Sequence, residues 1–182
     1  MLNTLKYLVV FMVIGSLVVS CDSYPSLQKY YVDSQSSSDF ISLDVPASIV
    51  SLKDGDASEE VRSTLKTVRK INFLGFQITE DNKEEYLAEQ KKIKVILKNP
   101  KYQDLVKLNF GKRSLTVKFL GDEDAINEVI FYGADKELGF ALVRVLGNEM
   151  DPSKMMALAQ EINIDGESSS MKQITSFMSS IK

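Results

Sequence analysis

Residues 106–146 read VKLNFGKRSLTVKFLGDEDAINEVIFYGADKELGFALVRVL. Val106, Leu108 and Phe110 alternate with Lys107 and Asn109, and Leu115, Val117 and Phe119 alternate with Ser114, Thr116 and Lys118. Alternation of this kind marks a strand with one buried face, because successive side chains leave a strand on opposite sides. Val129-Ile130-Phe131-Tyr132 and residues 140–146 are further apolar runs of strand length. Between the runs lie Gly111-Lys112-Arg113, Gly121-Asp122-Glu123-Asp124 and residues 135–139, each short, polar and containing glycine. Four strands joined by three such turns predict an antiparallel meander.

The flanking segments supply strands and helices to pack on it. Residues 40–45, FISLDV, alternate with Ile41, Leu43 and Val45 on one face, and Pro46 follows. Ser58, Glu59 and Glu60 have the look of a helix start, with a capping hydroxyl and acids in the electropositive first turn. Val61, Leu65 and Val68 then recur at helical spacing, so residues 58–70 are expected to form an amphipathic helix. Residues 71–76, INFLGF, form a compact apolar run and predict a buried strand. Residues 81–98 carry the longest helical pattern, with Tyr86, Ile93 and Leu97 on one stripe, and Asn99-Pro100 stops it. Downstream, Asp151-Pro152 offers a cap and a proline at the first helical position, with Met155, Leu158, Ala159 and Ile162 as the packing stripe.

This order predicts an α+β fold over residues 39–164. It is a two-layer domain with a mostly antiparallel sheet, an N-terminal strand-helix-strand-helix part, the four-stranded meander, and helices on one face. Residues 21–38 are polar and serine-rich at both ends and are expected to be a short tether, although Leu27, Tyr30, Tyr31 and Val32 fit a short helix after Pro25. Residues 165–182 form a serine-rich tail, in which Met171, Ile174, Phe177, Met178 and Ile181 fall on one helical face.

The chain resembles a family of bacterial envelope lipoproteins known as domain of unknown function 4252. The resemblance runs from about Ser26 to Ile164 and rests on LKTVRKINFLGF, KNPKYQDLVKLNFGKRSLTVKFL and EVIFYGADKELGFALVRVLGNEMDPSKMMALAQEI. These are patterns of core and turn. The family implies an exported, anchored α+β domain and supplies no activity.

The N-terminus reads as an address. Residues 7–19, YLVVFMVIGSLVV, are apolar apart from Gly15 and Ser16 and follow Lys6. As a helix they rise about 20 Å, too short for a hydrocarbon core of about 30 Å, so a signal-peptide core is expected over residues 1–20. Val18, Val19, Ser20 and Cys21 resemble the lipobox of bacterial lipoproteins. That resemblance implies diacylation of the Cys21 thiol, with palmitate-type chains, cleavage just before Cys21, and acylation of the new amine. Several chains matter, because one alone binds membranes only marginally. The expected location is the cell envelope, lipid-anchored and facing the periplasm or the exterior. Asp22 resembles an inner-membrane retention signal of some bacteria, and the choice between inner and outer membrane stays open.

Composition narrows the chemistry. Cleavage before Cys21 removes 20 of 182 residues and leaves 162, enough for one domain with a proper core. Losing Lys6 takes the 22 basic residues to 21 against 25 acidic ones, a formal charge of −4. That balance speaks against nucleic acid as a partner. Histidine is absent, which removes histidine-based triads and the usual general base, and also nearly all zinc and other transition-metal sites, which rely on His and Cys. No metal or other cofactor is expected.

Local motifs mostly have plain explanations. Asp54, Asp56 and Ser58 imitate positions of an EF-hand loop, but Glu59 and Leu65 stand where glycine and a bidentate glutamate are needed. The acidic turn at residues 121–124 lacks enough converging ligands and reads as a solvated loop. Ser-x-x-Lys occurs at Ser26, Ser63 and Ser169 without the companion elements of serine acylases. If the apolar faces of the meander strands meet the helices, Lys107, Asn109, Thr116 and Lys118 point away, joined by Glu128 and Arg144. Lys107, Lys118 and Arg144 are then the candidate interaction face, set against an ordinary solvated face of cross-strand ion pairs. The expected function is non-catalytic binding by a lipid-anchored domain that contacts the membrane through its lipid and another envelope protein through this face. The alternative is a carboxylate-dependent envelope hydrolase acting on glycan or lipid.

Overall fold

The computed structural model describes residues 24–47, 50–52, 58–122, 125–151, 153–155, 158, 162–164 and 172. In chain order the elements are α1 (Leu27–Ser34), β1 (Phe40–Pro46), β2 (Val50–Leu52), α2 (Glu59–Thr67), β3 (Val68–Gln77), α3 (Lys83–Ile96), β4 (Gln103–Phe110), β5 (Arg113–Asp122), β6 (Ala125–Asp135), β7 (Gly139–Met150) and β8 (Ile162–Ile164). Six strands form one antiparallel sheet in the order β1-β3-β7-β6-β5-β4, and β2 pairs with β8 in a separate two-stranded sheet. The fold is α+β. The meander β4 to β7 is as expected, and β3 and β1 extend it beyond β7. No helix among the described residues is long and apolar enough to cross a membrane.

The turns explain the meander. Phe110 pairs with Arg113 across the two-residue loop Gly111-Lys112, and Gly111 carries a φ of +62°, which suits the glycine-first hairpin turn. After β6, the Asp135 Oδ1 accepts from the Glu137 and Leu138 amides at 2.8 and 3.1 Å and closes the next turn. Gly139 then enters β7 at φ +133°, where a Cβ would lie 1.9 Å from the Phe76 carbonyl oxygen. Only glycine fits there.

Helix starts follow their caps. Ser26 Oγ accepts from the Lys29 amide at 3.3 Å and Ser58 Oγ from the Val61 amide at 3.2 Å. Asp151 Oδ1 accepts from the Ser153 amide at 2.8 Å, opening a helical stretch that includes residues 153–155 and 158. Two hydroxyls of the Ser-x-x-Lys motifs are thereby accounted for, since Ser26 is a cap and Ser63 Oγ donates to the Glu60 carbonyl at 2.8 Å.

The sheet is covered on both faces, which corrects the expectation of two layers with helices on one face. On one side, Leu74, Phe76, Ile130, Tyr132, Phe140 and Leu142 pack under α1 and α3. On the other, Val117, Phe119, Val129, Val145 and Met150 pack with Val61 of α2 and with Leu158. The physical reason lies in the central strands. Phe73, Leu74 and Phe76 on β3 and residues 129–132 on β6 are apolar on both faces, and a strand of that kind must be covered twice.

Two further expectations change. The polar tether expected over residues 21–38 contains α1, whose Leu27, Tyr30 and Tyr31 are buried in the first core, so the domain starts before residue 39. Ile162 lies in β8 and so does not extend the helical stripe of Met155 and Leu158. Cys21, Asp54, Asp56, Glu123, Asp124 and the tail apart from Lys172 lie outside the described residues.

Candidate functional site

The polar face of β4 and β5 is bounded by α3. Register places Lys107 opposite Thr116 and Asn109 opposite Ser114, and β5 in turn places Thr116 opposite Tyr132 and Ser114 opposite Ala134. These side chains therefore share one face. From α3, Gln90 and Lys94 line the same space, with Lys98 just beyond the helix end, and an open cleft of about 500 Å³ results. That volume falls within the usual range of small-molecule sites.

The lining is electrostatically one-sided. Lys94, Lys98, Lys107, Lys112, Arg113, Lys118 and Lys136 line it, and among the described residues no Asp or Glu does. Three of these cations have carboxylate partners outside the lining. Lys112 pairs with Glu137 at 2.5 Å, Arg113 with Asp135 at 2.9 Å and Lys118 with Asp104 at 2.8 Å. Asp104 is held below its usual pKa by its hydrogen bond from Lys118. Asp135 is lowered first by the Glu137 amide and further by Arg113. Lys94, Lys98, Lys107 and Lys136 have no carboxylate within 4 Å among the described residues.

At the inner end sits Tyr132, 4% exposed, whose buried Oη has no hydrogen-bond partner. The Gln90 amide lies close enough to act on the Tyr132 pKa in the lowering direction, but Gln90 Nε2 is taken up by Tyr86 Oη at 2.7 Å, and Tyr86 Oη donates to the Asp135 carbonyl at 2.7 Å. Burial raises the pKa of Tyr132, so the phenol keeps its proton and stays a donor. A buried hydroxyl left without a partner costs free energy, and most native hydroxyls in that position are satisfied.

The three residues expected to form an interaction face separate here. Lys107 and Lys118 both line the cleft; Lys118 is largely buried, and its Nζ also donates to the Tyr102 carbonyl at 2.9 Å. Arg144 is elsewhere. It lies on β7 beneath α1, where it donates to Glu128 Oε2 at 2.8 Å and to Gln28 Oε1 at 2.5 Å. The face that carries all three lies under α1 and α3, so the expectation of an open sheet face is corrected. Lys94, Lys98, Gln90 and Tyr132 were not singled out in the sequence. The spacing of Lys94 and Lys98 at i, i+4 was the available signal, because the helix expected over residues 81–98 would put both on one side, although α3 itself ends at Ile96.

A second groove of about 920 Å³ runs between α1 and α3 and is lined by Tyr30, Phe40, Val95 and Ile96 among others. Charges of both signs line it, Glu85 and Lys91 included, and several are paired. Lys29 pairs with Asp33 at 2.8 Å, Lys92 with Glu89 at 2.5 Å, and Tyr30 Oη donates to Glu89 at 2.8 Å. The basic cleft differs in carrying cations without any lining Asp or Glu among the described residues.

A family model described as domain of unknown function (DUF4252) matches residues 30–158. The chain belongs to this family. The matched span of the DUF4252 domain runs from within α1 to Leu158 and holds the whole six-stranded sheet and every side chain lining the basic cleft. No curated protein and no solved structure matches the chain.

Proposed function

We propose that this DUF4252 chain is a non-catalytic binding domain, held at the cell envelope by lipid on Cys21, whose ligand seats in the cleft between α3 and β4–β5. One observation carries the reading. Among the described residues, four lysines with no carboxylate within 4 Å converge beside a phenol without a hydrogen-bond partner, in a chain whose formal net charge is −3. Gathering like charges destabilises a fold unless counter-charge is supplied, so a bound anion is the natural counterpart of this cleft. Among the described residues the lining holds cations and no carboxylate, a set that favours binding an anion over the acid–base hydrolysis weighed as the alternative.

The anchor rests on the sequence around Cys21. α1 begins at Leu27, six positions later, so the intervening chain spans about 20 Å at most. The domain then sits close to the bilayer surface. Metabolic labelling with palmitate is expected to mark the wild-type chain and not Cys21→Ser; label on the variant contradicts the anchor.

Amine acetylation in intact cells tests the binding reading. Lys94, Lys98, Lys107 and Lys136 are expected to be protected in cells and reactive in the purified chain. Equal reactivity in both settings overturns an occupied cleft.

A further inference from the structure

We infer that the occupant of this cleft is a compact polyanion bearing phosphate, presented as a free molecule or as a lipid headgroup; the inference rests on the binding reading above. Among the described residues, the lining cations with no carboxylate within 4 Å are all lysines. Ammonium groups act as point charges and suit the tetrahedral spread of phosphate oxygens, whereas planar carboxylates are matched best by the fork of arginine. The one arginine in the lining, Arg113, is already bound to Asp135 at 2.9 Å.

Neutral groups complete the cradle. Asn109, Ser114 and Thr116 share the floor by strand register, and the Tyr132 phenol stands unpartnered at its inner end. A phosphate oxygen at that end accepts the proton of the Tyr132 phenol. The site is poor for a nucleoside. The ring of Tyr132 packs against Phe140 with centroids 5.9 Å apart, and among the described residues no Asp or Glu lines the cleft to hold sugar hydroxyls. The ion pairs Lys112–Glu137 and Lys118–Asp104 brace the rim, and Lys94, Lys98, Lys107 and Lys136 are left to meet the charge.

Isothermal titration of inorganic triphosphate into the intact chain, purified in neutral detergent, tests the inference. The expected result is saturable binding of one triphosphate per chain, weakening steeply with added salt. Lys94→Gln combined with Lys107→Gln is expected to lower the affinity at least tenfold. Tyr132→Phe, which keeps the ring and every charge, is expected to lower it about threefold to tenfold, with a thermal midpoint no lower than wild type. The same titration with dihexanoyl phosphatidic acid separates the sources. Tighter triphosphate indicates a free molecule, tighter lipid indicates a headgroup, and either outcome supports the phosphate class. Absence of saturable binding to both probes, or binding unchanged in both variants, overturns it. Protection of the cleft lysines in cells without binding of either probe overturns the phosphate class and leaves the binding reading standing. Loss of both results overturns both.

Discussion

The Tyr31 hydroxyl donates to the Leu142 carbonyl at 3.0 Å and joins α1 to the middle of β7 across 111 positions of sequence. Both residues are buried, at 3% and 0% exposure. Burying Leu27, Tyr30 and Tyr31 contributes about 1.5–3 kcal/mol each for the apolar area alone. A chain starting at residue 24 is therefore expected to keep full stability, and one starting at residue 39 to lose several kcal/mol in urea unfolding. Tyr31→Phe is expected to cost about 1 kcal/mol, because it removes one buried hydrogen bond. Equal midpoints for the two truncations would contradict the place of α1 in the fold.

Glu128 and Arg144 form a buried pair at 2.8 Å, with side chains 7% and 11% exposed. Burial works against the Arg144 charge, but the hydrogen bond and charge of Glu128 raise its pKa on balance. Glu128 Oε1 and Arg144 Nε remain without partners, so the pair is only partly satisfied. Arg144→Ala is expected to destabilise by about 3–5 kcal/mol, since it leaves a buried carboxylate alone. The double change Glu128→Leu with Arg144→Met is expected to recover most of that loss in thermal unfolding. A destabilisation by the double variant as large as that of Arg144→Ala would show that the pair contributes more than its mutual neutralisation.

Gly139 and Gly111 make a matched comparison. Gly139→Ala sets a Cβ against the Phe76 carbonyl at a φ of +133°, with both a clash and a forbidden backbone. Its expected cost is about 3 kcal/mol or more, seen as lost soluble expression or a lower unfolding midpoint. Gly111→Ala meets nothing within 4 Å and carries only the strain of φ +62°, about 1–2 kcal/mol.

Alkaline pH is expected to destabilise the fold through its tyrosines. Burial is the main cause that pushes Tyr86 up to about 12 and raises Tyr30, Tyr31 and Tyr132 as well. Their folded pKa values lie above the unfolded value of about 10, so the folded state holds protons that the unfolded state releases. The stabilisation is complete below about pH 10 and is lost as pH rises through the folded values, at up to about 1.4 kcal/mol per pH unit for each tyrosine. Urea midpoints measured from neutral pH to above pH 10, with tyrosinate absorbance followed in parallel, check this. Flat midpoints across that window would contradict it.

Much of the sheet was legible because its turns and alternation are local. The face assignment was harder. On β4 and β5 the polar face looks solvated, yet the same face becomes apolar on β6 and β7 through Ile130, Tyr132, Phe140 and Leu142. The continuous apolar runs at residues 73–76 and 129–132 were the sign of cover on both sides. Lys118 shows why polarity alone misleads, since its stem is buried while its Nζ reaches the Tyr102 carbonyl. The cleft depends on how α3 lies across β4 and β5, a tertiary relationship that no local pattern encodes. The pairing of β2 with β8, three residues each, is likewise set by tertiary context.

The cleft itself is tested most directly by mapping amide shifts of the isotopically labelled intact chain during titration with inorganic triphosphate. The account predicts saturable shifts centred on Gln90, Lys94, Lys107, Asn109, Thr116 and Tyr132. Shifts centred on Tyr30, Ser34 and Phe40 in the groove between α1 and α3, or scattered over exposed lysines without saturation, would contradict it.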